Sequence, residues 1–241
     1  MSVSVSVAIH QPNFFPTLKI INKLVNSDKV VFLNDVQFVR NDIQNRIKLR
    51  NFQKPINEFW YSCSVKKGSS RKKINCVEIS DYKYLKDNFI STLYNLYRFS
   101  PYYNHILDYV NGVFSKEFVL ISDFNIYAMK SLLDFLNIKK QYICSDTLSI
   151  SDELTKDDRL IEIVKVVGGT EYISGLGGKN YINESKFIDN KIKLKWHKWV
   201  IPKGIEINNW NEISFLDFVA RYGFNRFKDY LLYEGEIVEY L

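Results

Sequence analysis

Residues 3–9 alternate Val, Ala or Ile with Ser over most of their length, the period-two pattern of a half-buried strand. The next stretch, TLKIINKLVN (17–26), carries its apolar residues at 18, 20, 21, 24 and 25, one face of a helix. KVVFLNDV (29–36) is instead a short continuous apolar run, as expected of a strand buried on both faces. Strand, helix and strand in this order predict a βαβ opening whose crossover makes the two strands parallel.

Further along, EFWYSCSV (58–65) and INCVEIS (74–80) flank a basic loop and read as two antiparallel strands. Residues 81–136 are mostly helical in pattern, in three stretches, with Pro101 separating the first two because a residue before proline disfavours the helical region. KQYICS (140–145) returns to strand. DDRLIEIVKVVG (157–168) is an amphipathic helix ending at Gly168-Gly169, TEYIS (170–174) a short strand, IKLKWHKW (192–199) an alternating outer strand, and 214–233 a final helix. No repeat, low-complexity segment or Gly/Pro-rich linker divides the chain. The pattern predicts one α/β domain over 1–241: a mainly parallel sheet with a Rossmann-like or HUP-like βαβ opening, a short antiparallel hairpin, and a helical insertion at about 81–136.

Composition narrows the class. With 46% hydrophobic and 15% aromatic residues the chain can bury a full core, which excludes a disordered protein. The longest apolar runs are strand-sized or broken by Lys and Asp, and the start lacks the basic and apolar regions of an export signal, so a cytoplasmic protein with no membrane span is expected. Three widely spaced cysteines, Cys63, Cys76 and Cys144, suggest reduced thiols, and no Cys/His spacing suits zinc, so no metal is expected. The net charge of +6 is spread along the chain; only VKKGSSRKK (65–73) is dense, as a solvated loop or an anion-binding one. Nucleic acid would call for a stronger basic stripe and is not an expected partner.

Chemistry concentrates where predicted parallel strands end, the place at which open α/β sheets bind ligands. AIHQPNFFP (8–16) ends the first strand in a polar cluster held between Pro12 and Pro16. His10 there suits a general acid or base, a donor to an anion, or a buried structural role. NDVQFVRNDIQNRIKLR (34–50) follows the second strand and carries Asp35, Gln37, Arg40, Asn45, Arg46 and Lys48; arginine's planar fork fits phosphate or carboxylate, and the amides fit sugar hydroxyls, unless the segment is simply a solvated loop. SGLGGKNY (174–181) has three glycines that let backbone amides approach a ligand or make a tight turn, and it matches neither a Walker A loop nor GxGxxG. There is no GxSxG, HExxH or protein-kinase set.

Together these clusters, with VKKG, DRLIEI and YISG-x-GGK-x-Y, resemble the WbqC-like family from about residue 7 to 199. Asn34, Ile43 and Leu176 depart from the residues usual at those positions in that family, and Asn34 weakens any role for paired carboxylates. The resemblance implies a bacterial protein of O-antigen (lipopolysaccharide) biosynthesis, and with the three clusters it suggests a transferase that N-acylates or aminoacylates an amino sugar on a nucleotide-linked or lipid-linked precursor. In that reading His10 and Asp35 are catalytic. Gln11, Asn13, Gln37, Arg40, Asn45, Arg46, Ser174, Gly175, Gly177, Gly178, Lys179 and Tyr181 bind substrate. No tightly bound cofactor is expected; the donor is an acyl, aminoacyl or nucleotide compound, with charged tRNA as one form of it. Two alternatives stand beside it. One is a nucleotidyltransferase of the HxGH type, although the second histidine is missing, or an adenylate-forming ligase; the other is a non-catalytic nucleotide-sugar-binding module. The sequence leaves the acceptor sugar, the donor and the oligomeric state open.

Overall fold

The computed structural model describes residues 4–200, 204–205, 210, 212–233 and 236–238. Strand β1 (Ser6–His10), helix α1 (Leu18–Val25) and strand β2 (Lys29–Phe32) form the expected βαβ unit, with Val7 opposite Lys29 and His10 opposite Phe32 in parallel register. The later strands β5 (Gln141–Cys144), β6 (Glu171–Gly175), β7 (Lys193–Lys198) and β8 (Glu236–Val238) complete a sheet ordered β5-β2-β1-β6-β7-β8. The first five are parallel and β8 is antiparallel to β7. The fold is mixed α/β in a single domain.

Period two sorts the strand residues onto two faces. Val7, Ile9, Val31, Tyr172 and Trp196 pack with Ile161, Ile163 and Val164 of helix α5 (Lys156–Val166) and with Phe187 of helix α6 (Glu184–Asp189). Ala8, Val30 and Phe32 belong to the core on the other face, with Leu18, Ile21 and Leu24 of α1 and Phe218 and Val219 of helix α7 (Phe215–Tyr233). His10, one step beyond Ile9, therefore falls on the α1 face.

Between β2 and β5 the chain makes a two-stranded antiparallel sheet and a helical layer of α2 (Tyr82–Tyr97), α3 (Tyr103–Val113) and α4 (Ile121–Phe135). Asp81 caps α2, its carboxylate accepting from the Tyr84 amide at 2.8 Å. Phe89, Leu93 and Phe124 extend the α1-face core into this layer.

Two expectations need correcting. The strand at 58–65 does not pair with 74–80. Strand β4 (Glu58–Ser62) pairs with β3 (Arg46–Arg50), Ile47 opposite Tyr61, while Ile74–Cys76 is a 3-10 turn and only an isolated Val65–Ile79 bridge joins the two expected partners. The cause is visible in RIKLR, whose Ile47 and Leu49 are buried. Its alternation is that of a strand even though its charges suggest a loop. The second correction is that β7 is not outermost, because β8 lies beyond it. Among the described residues no helix is long and apolar enough to cross a membrane.

Candidate functional site

The strand order places β1 between β2, which follows it directly, and β6, which the chain reaches only after β5. That reversal is the topological switch point, where loops leave in opposite directions and a crevice opens at the carboxyl ends of the strands. Ala8 pairs with Ile173, so His10 stands level with Gly175, and Gly175 pairs in turn with His197. These three residues line a cavity of about 740 Å³. Its other walls come from Asn13–Thr17 between β1 and α1, from Lys19 and Lys23 of α1, from Arg46, Lys48 and Trp60 of the β3–β4 hairpin, and from Leu176, Gly177, Trp199, Glu212 and Ser214.

The HQPNFFP segment is bolted in place from several sides. Phe14 and Phe15 are buried against Phe89 and Phe124, with ring centroids 4.7–5.9 Å apart. Asn125 of α4 donates to the Pro12 carbonyl at 3.1 Å and to the Gln44 carbonyl at 2.9 Å. The Gln44 amide donates to Gln11 Oε1 at 2.8 Å, and the Phe14 amide to the Ile43 carbonyl at 3.0 Å. Ser214 Oγ donates to the Phe15 carbonyl at 2.8 Å. Phe15 holds a φ of 38°, a left-handed conformation that a phenylalanine keeps only when its surroundings enforce it. The phenylalanines anchor the loop so that His10 and Asn13 are held rigidly at the cavity.

His10 Nδ1 lies 3.3 Å from Lys23 Nζ, which also donates to the Ile9 carbonyl at 3.3 Å. Burial, then the positive charges of Lys23 and Lys19, hold the imidazole pKa well below its ordinary value, so His10 is neutral at pH 7. Burial also lowers Lys23 to about 8, which leaves it mostly an ammonium at that pH. An ammonium has only donors, so Nδ1 must accept and the ring proton resides on Nε2. His10 is thus a neutral donor through Nε2. His197 donates from Nε2 to Asn22 Oδ1 at 2.6 Å, and burial followed by the Lys23 charge depresses its pKa to about 4.

Among the described residues, four cations, Lys19, Lys23, Arg46 and Lys48, line the cavity against one carboxylate, Glu212. Glu212 and Glu58 take up Lys48, at 2.6 and 3.4 Å. Arg46 stacks on Trp60, 4.1 Å from the ring centroid. Among the described residues, buried polar atoms of the lining lack a hydrogen-bond partner: His10 Nε2, Asn13 Nδ2 and Oδ1, Thr17 Oγ1, Arg46 Nε and Trp199 Nε1. Orphaned polar atoms are costly in a dry interior, and their convergence on one cavity marks groups kept for a ligand.

Of the residues singled out in the sequence, His10, Asn13, Arg46, Lys48, Gly175 and Gly177 come together here. The others stand apart from the lining. Gln11 is held by Gln44, and Asn45 donates to the Cys63 carbonyl at 3.0 Å and accepts from the Asn41 amide at 2.9 Å. Asp35 pairs with Arg159 at 2.5 Å and accepts from Ser145. Gln37 donates to the Ser70 carbonyl at 3.0 Å, and Arg40 is exposed. Ser174 is buried and Tyr181 exposed. A Cβ at Gly178 would sit 2.4 Å from Ser174 Oγ, so this glycine serves close packing; Lys179 stacks on Trp196. Lys19, Lys23, Trp60, His197 and Glu212 were not singled out. Lys19 and Lys23 had a signal, cations four apart on a helix whose remaining face is apolar. Among the described residues no group of three or more His, Cys, Asp or Glu is arranged to hold a metal.

No solved structure matches the chain. An uncharacterized protein of Mycobacterium tuberculosis is 23% identical to it over 192 residues, covering 79% of this chain and 80% of that protein. The sequence profile of the WbqC-like protein family matches residues 11–228, a span that holds the Asn13–Thr17 loop, α1, the β3–β4 hairpin and β7. The chain belongs to the WbqC-like protein family.

Proposed function

We propose that the switch-point cavity is the active site of a group-transfer enzyme of O-antigen or related surface-polysaccharide synthesis, acting on a phosphorylated, nucleotide-linked or lipid-linked amino sugar. The observation that carries this reading is the set of unpartnered polar atoms, His10 Nε2 foremost, in a cavity whose described lining holds four cations and one acid.

The chemistry follows from the tautomer. Nε2–H of a neutral imidazole is a hydrogen-bond donor rather than a base, and it suits an oxygen on which negative charge develops. When the substrate amine attacks an acyl or aminoacyl carbonyl, the carbonyl oxygen becomes that site. The tetrahedral adduct then collapses, the donor's leaving group departs with the electron pair, and the amine proton passes to solvent or to the leaving group. Asp35, tied to Arg159 and outside the lining, has no part in this step. The same donor would steady a phosphoryl oxygen in nucleotidyl transfer, so this alternative is favoured over a binding module by the same atom.

Mass spectrometry of the purified protein, incubated with nucleotide-linked amino sugars and acyl, aminoacyl or nucleoside triphosphate donors, tests the proposal. Turnover is expected from one pairing, and His10→Ala should lower kcat at least 100-fold with binding retained, the typical effect of removing one oxyanion donor at about 3 kcal/mol. A His10→Ala protein that turns over normally, or a panel with no product, would overturn it.

A further inference from the structure

We infer that the amino end of α1, together with Asn13 and Arg46, forms a phosphate-binding subsite within the cavity. The inference rests on the reading of the cavity as a ligand site and goes further by placing the phosphoryl group away from the glycine turn.

Thr17 is the N-cap residue of α1, extended at φ −77° and ψ 160°, yet its hydroxyl makes no capping bond. A threonine there normally satisfies an amide of the first turn. Here Oγ1 is buried without a partner, and the Thr17 carbonyl, not the side chain, accepts from Ile20 and Ile21, both at 3.2 Å. The Lys19 amide lies in the first turn, where no earlier helical carbonyl exists to accept it. Helix termini of this kind favour anions through aligned amides and the dipole.

Asn13 supplies the independent sign of a ligand. The residue is 4% exposed and lines the cavity, and its side chain leaves both Nδ2 and Oδ1 unpartnered. A buried carboxamide with neither end satisfied is expensive, and a bound group would satisfy it. Arg46 adds a third donor, since its buried Nε lacks a partner while the guanidinium rests on Trp60. Among the described residues Lys19, Lys23 and Arg46 make no ion pair with a carboxylate, in contrast to Lys48. Three unmatched positive charges and donors from three chain segments suit a phosphate or diphosphate better than a carboxylate, which has two acceptor oxygens. By contrast, Gly178 is fixed by packing, and Lys179 lies over Trp196.

Calorimetric titration with inorganic pyrophosphate, and separately with a uridine diphosphate amino sugar, tests the subsite on the intact chain. Asn13→Asp and Thr17→Val should each weaken pyrophosphate at least tenfold. Lys19→Glu, at an exposed position, should do the same, while Lys179→Glu leaves affinity within twofold. The proposal is overturned if Lys179→Glu abolishes binding and Lys19→Glu does not. Wild-type protein that binds neither probe at millimolar concentration overturns it too, as does unchanged affinity in the three subsite variants. Pyrophosphate binding that responds as expected, with no preference for the sugar nucleotide and no turnover, would sustain the subsite and sink the function proposed for the cavity.

Discussion

Two polar clusters stand at the carboxyl ends of the same sheet and differ in how far their side chains are partnered: Arg159 Nε is the one unpartnered atom among Asn34, Asp35, Ser145 and Arg159, whereas His10, Asn13 and Thr17 all have one. At the end of β2, Asp35 is closed off: Arg159 binds it from α5, Ser145 donates to it, Arg159 reaches the Ser151 carbonyl at 3.2 Å, and Asn34 accepts from the Asp146 amide at 3.2 Å. At the end of β1, His10, Asn13 and Thr17 are left with unpartnered atoms around a cavity. The first arrangement is a latch that holds α5 and the segment after β5 against the sheet. The second stores polar groups at a cost that only a ligand would offset. Charged residues in a motif look equally functional in a sequence; their satisfaction in the fold separates structural from chemical use.

Breaking the latch should produce the largest effect on stability. The two side chains of the Asp35–Arg159 pair are 9% and 10% exposed. Removing one partner leaves the other charge buried and uncompensated, which costs about 3–5 kcal/mol. Asp35→Ala is therefore expected to lower Tm by roughly 10 °C for a chain of this size. In the double variant Asp35→Ala/Arg159→Met much of that loss should return, because no lone charge remains. A Tm unmoved in Asp35→Ala would mean the pair is not a latch, and would reopen a chemical role for Asp35.

The fold was largely legible because its signals are periodic and local. The alternation at β1, the apolar face of α1 and the continuous run at β2 each allow one element. The β3–β4 pairing was not, since RIKLR sits in a segment so polar that its Ile47/Leu49 alternation reads as a loop. At the site, His10, Asn13 and Arg46 were legible as unusual polar residues beside predicted strand ends. Lys23 and His197 were not, because a lysine on an amphipathic helix and a histidine in an alternating strand look ordinary until the strand order brings them beside His10. Asp35 shows the opposite error: a motif residue whose partner, Arg159, lies 124 positions away in the chain.

Next in size is the open cluster's effect on binding. Arg46→Met removes an Nε donor with no hydrogen-bond partner in the protein at the loss of the Trp60 contact, so Tm should stay within about 2 °C of the wild type. Affinity for a sugar nucleotide should fall 10- to 100-fold, the worth of a charge-assisted hydrogen bond at about 1.5–3 kcal/mol. A variant that loses stability rather than affinity would place Arg46 with the latch residues instead.

Lys23 gives a smaller effect with a sign set by pH. Its folded pKa, about 8, lies below the usual 10.5, so between these values the unfolded chain binds more protons and stability rises with pH. Below pH 8 both states are charged and the burial penalty is fully present. Lys23→Met should therefore stabilise the protein by about 1 kcal/mol at pH 7, after the loss of its bonds to His10 and Ile9, with the gain fading toward pH 10. Chemical denaturation of both proteins across that range is the measurement. A gain that grew with pH would contradict the depressed pKa of Lys23.

The smallest effect belongs to Glu212, an acid of the cavity wall. Glu212 is 54% exposed on its side chain and bonds Lys48 at 2.6 Å, and Lys48 keeps Glu58 as a second partner. Exposed pairs of this kind contribute about 0–1 kcal/mol, so Glu212→Gln should shift Tm by 2 °C at most. Its effect on an anion should be opposite in direction to that of Arg46→Met. Taking one negative charge from the wall frees Lys48 to act on the ligand, and affinity for pyrophosphate should rise about twofold at low salt. Ions screen charges over about 10 Å at 0.1 M salt, so the rise should vanish well above that concentration. An unchanged affinity at low salt would mean that Glu212 and Lys48 lie outside the field felt by the ligand, confining the open cluster to the β1–α1 loop and Arg46.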